Sequence, residues 1–162
     1  MRIKIVTTFV FCLFLVSFNS YGDHHGNASD AELLEEMTVE HGRSANREEW
    51  ENHYAMYAVG CTGFWEYGMK RTQMQTEQSL ENRISNAKDW NERGGIRRIW
   101  NRHPEAVVHG DFAVATCYQH GWFQNTKGER TNVLNRVSLI WKRTDDGWKI
   151  VHEHYSEMKR EN

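Results

Sequence analysis

From Phe112 onward the chain alternates long runs rich in Val, Ile, Thr and aromatic residues with two short clusters of turn formers. These clusters are Asn125-Thr126-Lys127-Gly128-Glu129 and Asp145-Asp146-Gly147. Such runs, separated in this way, predict antiparallel strands joined by hairpins. The expected strands cover 112–124, 130–143 and 148–156. Ahead of them, 96–109 reads as extended with a break at Pro104, and Gly110-Asp111 turns it into the next strand. A meander of long strands has two faces, and at least one must be covered by something earlier in the chain.

The earlier half has helical spacing. Ser29 and Glu32 stand at capping-box distance, and Leu33, Leu34 and Met37 follow on one helical face. Gly42 is the expected stop. Asn46 can cap a second helix, in which Trp50, His53, Tyr54 and Tyr57 fall at i, i+3, i+4 and i+7. Gly60 and Gly63 interrupt that pattern, and 64–72 reads as a strand. Thr76 opens a third helix with Leu80, Ile84 and Ala87 as its apolar stripe, closed by Gly94-Gly95. Helices first and a strand meander after them predict an α+β fold. The expected form is a cone-shaped, curved antiparallel sheet with the N-terminal helices packed over its concave face.

The first 22 residues belong to a different regime. Arg2 and Lys4 precede an almost continuously apolar run over 5–18, and Ser20-Tyr21-Gly22 puts small residues three and one before a cut ahead of Asp23. These are the three regions of a signal peptide, and the run is too short to span a bilayer comfortably. The expected product is one domain over 23–162, secreted or periplasmic, with 23–28 as a mobile tail. Cys12 is discarded with the leader. Losing Arg2 and Lys4 and no acid leaves 18 basic against 22 acidic residues, a net of −4. That charge gives no general electrostatic reason to bind nucleic acid or a membrane surface.

Cleavage there would leave Asp23-His24-His25 at the new terminus. A free amine with His at the third position can hold Cu(II) or Ni(II) in a square of nitrogens; the plainer reading is a solvated polar tail. Cys61 and Cys117 could pair in an oxidising compartment or remain buried free thiols in strands. His152 and His154 share a strand face, yet no recognisable third ligand accompanies them, so they read as structural and no metal or cofactor is expected.

Two segments carry a family resemblance. Val107-Val108-His109-Gly110-Asp111-Phe112-Ala113-Val114 is similar to the turn between central strands of SnoaL-like domains. The run from Ile140 to Ser156, ending Trp148-x-x-Val151-His152-x-His154-x-Ser156, resembles their closing hairpin. SnoaL-like domains form a branch of the nuclear transport factor two-like superfamily. The same segments resemble the association domain of calcium/calmodulin-dependent kinase, which shares the cone. The resemblance runs from about Glu49 to Ser156. It implies a pocket between sheet and helices and a homodimer through the sheet. It names no single reaction, since relatives include isomerases, dehydratases, cyclases, epoxide hydrolases and purely binding or assembly domains. Registered on the association domain, His120 and Tyr155 stand where that family carries pocket arginines.

Alternation along 112–124 puts Val114, Thr116, Tyr118, His120 and Trp122 on one face and Ala113, Ala115, Cys117, Gln119 and Gly121 on the other. The bulky first set is expected to wall the pocket. The small second set, Cys117 and Gln119 among it, is expected at the dimer contact. In the last strand Val151, Glu153 and Tyr155 share a face, roughly opposed to Trp148, Ile150, His152 and His154, with allowance for a bulge. Arg136 and Ser138 face away from Asn135, Val137 and Leu139. The expected acid–base set is His120, Glu153 and Tyr155, because burial and a partner move such groups toward neutral pH. The expected ligand contacts are Tyr54, Tyr57, Phe64, Trp65, Tyr118 and Trp122. Two functions fit: a pocket for a small, mostly apolar molecule with isomerase or lyase chemistry, or a non-catalytic dimerisation and interaction module.

Overall fold

The computed structural model describes residues 28–64, 71–74 and 77–158. The leader, Asp23-His24-His25 and Trp65 lie outside them. The order is α1 (Ala28–Asn46), α2 (Trp50–Ala55), β1 (Tyr57–Phe64), β2 (Arg71–Met74), α3 (Glu77–Glu92), β3 (Ile96–His109), β4 (Phe112–Gln124), β5 (Arg130–Thr144) and β6 (Gly147–Glu157). The six strands form one open, curved sheet ordered β2-β1-β6-β5-β4-β3. Every neighbouring pair is antiparallel except β1 and β6, which run parallel.

Several boundaries differ from the sequence expectation. The strand expected over 64–72 is not found as such: β1 ends at Phe64, β2 covers Arg71–Met74, and 65–70 lie outside the described residues. Gly42 does not end α1, which runs on to Asn46. Its missing side chain serves contact instead: a Cβ there would sit 3.1 Å from the Asn101 amide nitrogen, so glycine lets the helix lie close on β3. Asn46 is not the cap of α2. Its side-chain amide takes the Ile99 N–H at 2.8 Å and donates to the Ile99 carbonyl at 2.7 Å, pairing with the exposed edge of β3 as a neighbouring strand would. Tyr57 follows the end of α2 and opens β1.

The core lies between α1 and the concave face. Leu34 from α1 meets Ala113, Ala115 and Cys117 of β4, Val137, Leu139 and Trp141 of β5, and Trp148 and Ile150 of β6. The small residues of β4 thus face inward, and Phe112, Val114, Thr116, Tyr118 and His120 face outward. This reverses the expected assignment of the strand. A helix packed against β4 and large inward side chains on β5 leave room only for small ones between them. On β6 a register shift beside Val151 changes the parity, so Trp148 and Ile150 share the inner face with Glu153 and Tyr155, while His152 and His154 face out.

Cys61 and Cys117 are free and buried. They sit on β1 and β4, with β6 and β5 between. Three strand spacings are roughly 14 Å, whereas a disulfide needs Cα atoms within about 7 Å.

Candidate active site

The helices and the sheet line a cavity of about 700 Å³. His41 enters from α1, Trp50, His53 and Tyr54 from α2, and Arg83, Asn86, Ala87 and Trp90 from α3. The sheet supplies Tyr57, Arg97, Ile99, Gln119, Phe123, Val133, Asn135 and Tyr155. Local structure holds the aromatic walls in place. Trp50 Nε1 donates to Asn91 Oδ1 at 2.8 Å. Trp90 lies flat on Gly95, where any Cβ would come within 2.2 Å of its ring.

One wall is a hydrogen-bonded chain. Tyr57 and Tyr155 both donate their phenol hydrogens to Glu153 Oε2, at 2.9 and 3.0 Å. Glu153 is 2% exposed and lies behind the two phenols. Burial, and then the adjacent carboxylate, push both phenols well above the ordinary tyrosine range. His41 Nε2 is 2.7 Å from the Tyr57 oxygen. That hydroxyl already spends its hydrogen on Glu153, so His41 is the donor here and its Nδ1 carries the lone pair. His41 Nδ1 is buried with no hydrogen-bond partner among the described residues.

His53 stacks beside His41, ring centroids 4.4 Å apart, and its Nδ1 donates to the His41 carbonyl at 2.9 Å. Burial lowers both imidazoles, His41 well below its usual value and His53 to about 3, with the Arg97 guanidinium pushing the same way. Both rings are neutral at ordinary pH. Arg97 brings positive charge into the cavity, and its Nε is buried without a hydrogen-bond partner among the described residues. Burial also raises the Tyr54 hydroxyl, against the pull of Arg83 beside it.

This arrangement can move a proton. Among the described residues, Tyr155 and Tyr57 link Glu153 to the cavity, so a phenol would be the group that touches a ligand and the carboxylate the sink behind it.

A model of the SnoaL-like domain matches residues 36–160. The chain belongs to the SnoaL-like family. Solved structures similar to this SnoaL-like domain include a ketosteroid isomerase-like protein from Erwinia carotovora atroseptica. It is 13% identical, with 83% of this chain and 100% of that one covered, at a TM-score of 0.66. An NTF2-like protein with a cystatin-like fold from Novosphingobium aromaticivorans is 15% identical over 80% and 82% of the chains, at 0.60. The calcium/calmodulin-dependent protein kinase II hub of S. rosetta is 18% identical over 82% and 99%, at 0.61. At such identities the likeness shows the shared fold. A comparison with curated proteins gave no match.

The SnoaL-like cavity gathers part of the expected site. Tyr54, Tyr57 and Tyr155 line it, and Glu153 stands behind. His120 is not there. It lies exposed on the outer face, 6.0 Å from the Trp100 ring, with Arg102 Nε donating to its Nε2 at 3.4 Å. Tyr118 is 49% exposed on that same face. Trp122 does not line the cavity; its ring carries the Arg130 guanidinium at 4.3 Å. Phe64 is 47% exposed and packs edge-on against His152 and His154 instead of roofing the cavity. His152 Nδ1 lies 2.8 Å from Thr62 Oγ1. The cause is common to β4: reversing its inward set moves Tyr118, His120 and Trp122 out together.

Sequence reasoning missed the other lining residues, the polar His41, His53, Arg83, Asn86, Arg97, Gln119 and Asn135 among them. A signal for His41 existed. Leu34, Thr38, His41 and Ala45 recur at helical spacing, and all four are buried.

Proposed function

We propose that this SnoaL-like domain is exported, binds a small, mostly apolar molecule in its cavity and performs acid–base chemistry on it. The observation that carries the reading is the aromatic cavity of about 700 Å³ with two phenols sharing one buried carboxylate in its wall. A proton leaving a bound ligand passes to the Tyr155 oxygen while the Tyr155 proton passes to Glu153 Oε2. The ligand keeps the electron pair, and its negative charge develops in a cavity that also holds the Arg97 guanidinium. Reversal of the same relay at a second ligand atom completes an isomerisation; loss of a leaving group instead makes a lyase. That a structural neighbour bears the name ketosteroid isomerase-like supports this class of chemistry.

Native mass spectrometry of the protein recovered from the cell exterior or periplasm tests binding and export together. The expected spectrum shows a chain beginning at Asp23 with a non-covalent small molecule that leaves on denaturation. A soluble chain that retains Met1 contradicts export, and a pure apo species under a broad ligand screen contradicts the binding reading.

Self-association is a second proposal, carried by the outer face. Trp100, Val107, Phe112, Val114 and Tyr118 are large apolar residues exposed on β3 and β4. In register Val107 neighbours Val114, which neighbours Ile140. The face bearing Cys117 and Gln119, expected from the sequence to form the contact, is buried inside and cannot serve. Sedimentation at micromolar concentration should show a dimer that Val114→Lys converts to monomer; a wild-type monomer removes the proposal.

A further inference from the structure

Three side-chain amides cross the sheet in series beneath the cavity. Asn101 Nδ2 donates to the Thr38 backbone carbonyl at 2.8 Å. Asn101 Oδ1 accepts from Gln119 Nε2 at 3.2 Å. Gln119 Oε1 accepts from Asn135 Nδ2 at 3.4 Å. A backbone carbonyl can only accept, so Asn101 must present its NH2 there. That choice fixes Gln119, and Gln119 fixes Asn135. The ladder therefore has one polarity, and it ends on an acceptor. Asn135 lines the cavity, and its Oδ1 is buried with no hydrogen-bond partner among the described residues. Asn135 as a whole is 6% exposed. An unpaired carbonyl oxygen in such a place favours a ligand that brings a donor to it.

We propose that Asn135 is a specificity-determining residue: its Oδ1 takes a hydroxyl or N–H of the cavity's ligand, and the Thr38–Asn101–Gln119 ladder holds it in the accepting orientation. The inference rests on the binding role proposed for the cavity and adds what the ligand must carry, namely a hydrogen-bond donor on an apolar frame. A site that hydrogen-bonds a substrate hydroxyl rejects the analogue lacking that hydrogen, because the buried acceptor is then left unpaired.

The test uses mature protein and probes built on one frame: 1-naphthol, 2-naphthol, their two methyl ethers, and naphthalene. Binding is read by quenching of tryptophan fluorescence. At least one naphthol should bind about tenfold or more tighter than its methyl ether, since the ether keeps the oxygen and loses the donor. Asn135→Leu should erase that preference. Both naphthols binding no tighter than their ethers overturns the proposal on wild-type protein alone, whatever the variants do. Preference surviving in folded Asn135→Leu overturns it as well. Failure of all five probes to bind removes the cavity-binding reading and this proposal with it, whereas equal binding of all five removes only this one.

Discussion

Unfolding measured in urea should show this SnoaL-like domain losing most of its stability between about pH 6.5 and pH 4.5. His41 and His53 are buried and neutral, with His53 held at about 3 and His41 well below its usual value. In the unfolded chain each takes a proton near 6.5. Above that pH both are neutral in both states and contribute no pH dependence. Below it, the unfolded chain binds two protons that the folded one refuses. Stability then falls by ~1.4 kcal/mol per pH unit for each histidine. Over two units the pair removes roughly 5 kcal/mol, comparable to the whole stability of a small domain. Asp30, Glu49 and Glu51 have carboxyls lowered chiefly by Arg143, Arg47 and Lys88, so their ion pairs are lost only at more acid pH. His53→Gln should cut the slope to about half. Stability that stays level from pH 7 to pH 5 would contradict burial of the two imidazoles.

Gly121→Ala should be the most damaging glycine substitution among the described strands. Gly121 has φ +144 and pairs with Ile99 across β3 and β4. An added Cβ would stand 2.0 Å from the Arg98 carbonyl oxygen and 2.8 Å from the Ile99 Cα. Both are backbone atoms of a paired strand and cannot swing aside. Overpacking and strain together should cost about 3 kcal/mol or more. The damage falls beside Arg97, Ile99 and Gln119, so cavity binding should weaken along with stability. Gly128 gives the control. Its φ is +84 and nothing lies within 4 Å of an added Cβ, so Gly128→Ala carries only the backbone term of about 1–2 kcal/mol. Equal urea midpoints for the two variants would show that the close approach at Gly121 is absent.

The hairpin half of the fold was legible because its signals are local. Turn clusters at 125–129 and 145–147 bracket long strands, and β4, β5 and β6 begin and end within a residue of where the sequence puts them. The facing of β4 was not legible from the same letters. Whether Ala113 and Cys117 or Val114 and Tyr118 point inward depends on α1, which packs against the sheet from more than sixty positions away. A bulge in the last strand was allowed for, but its place at Val151 is hidden for a related reason, since a bulge belongs to a pair of strands and not to either one.

The site divides along the same line. Glu153 and Tyr155 come from the recognisable closing hairpin, and Tyr54 and Tyr57 from an aromatic stripe. His41 escaped because its helix face is polar. Thr38, His41 and Ser44 are buried by hydrogen bonds to Leu34, Tyr57 and the His41 carbonyl rather than by apolar character. Arg97 stands with Arg98 and Arg102 on an extended run, and only the assembled sheet turns it toward the cavity.

Filling the cavity is the most direct check that it is the working site of this SnoaL-like domain. Val133 lines it from β5, while Val114 sits on the opposite face of the neighbouring strand. Titration with 1-anilinonaphthalene-8-sulfonate, read by its fluorescence, should give equal affinity for wild type and Val114→Trp. For Val133→Trp, folded by its melting curve, affinity should drop by about tenfold or more, because the indole occupies the space the probe needs. Undiminished binding in Val133→Trp with loss in Val114→Trp would contradict the assignment and move the site to the outer face.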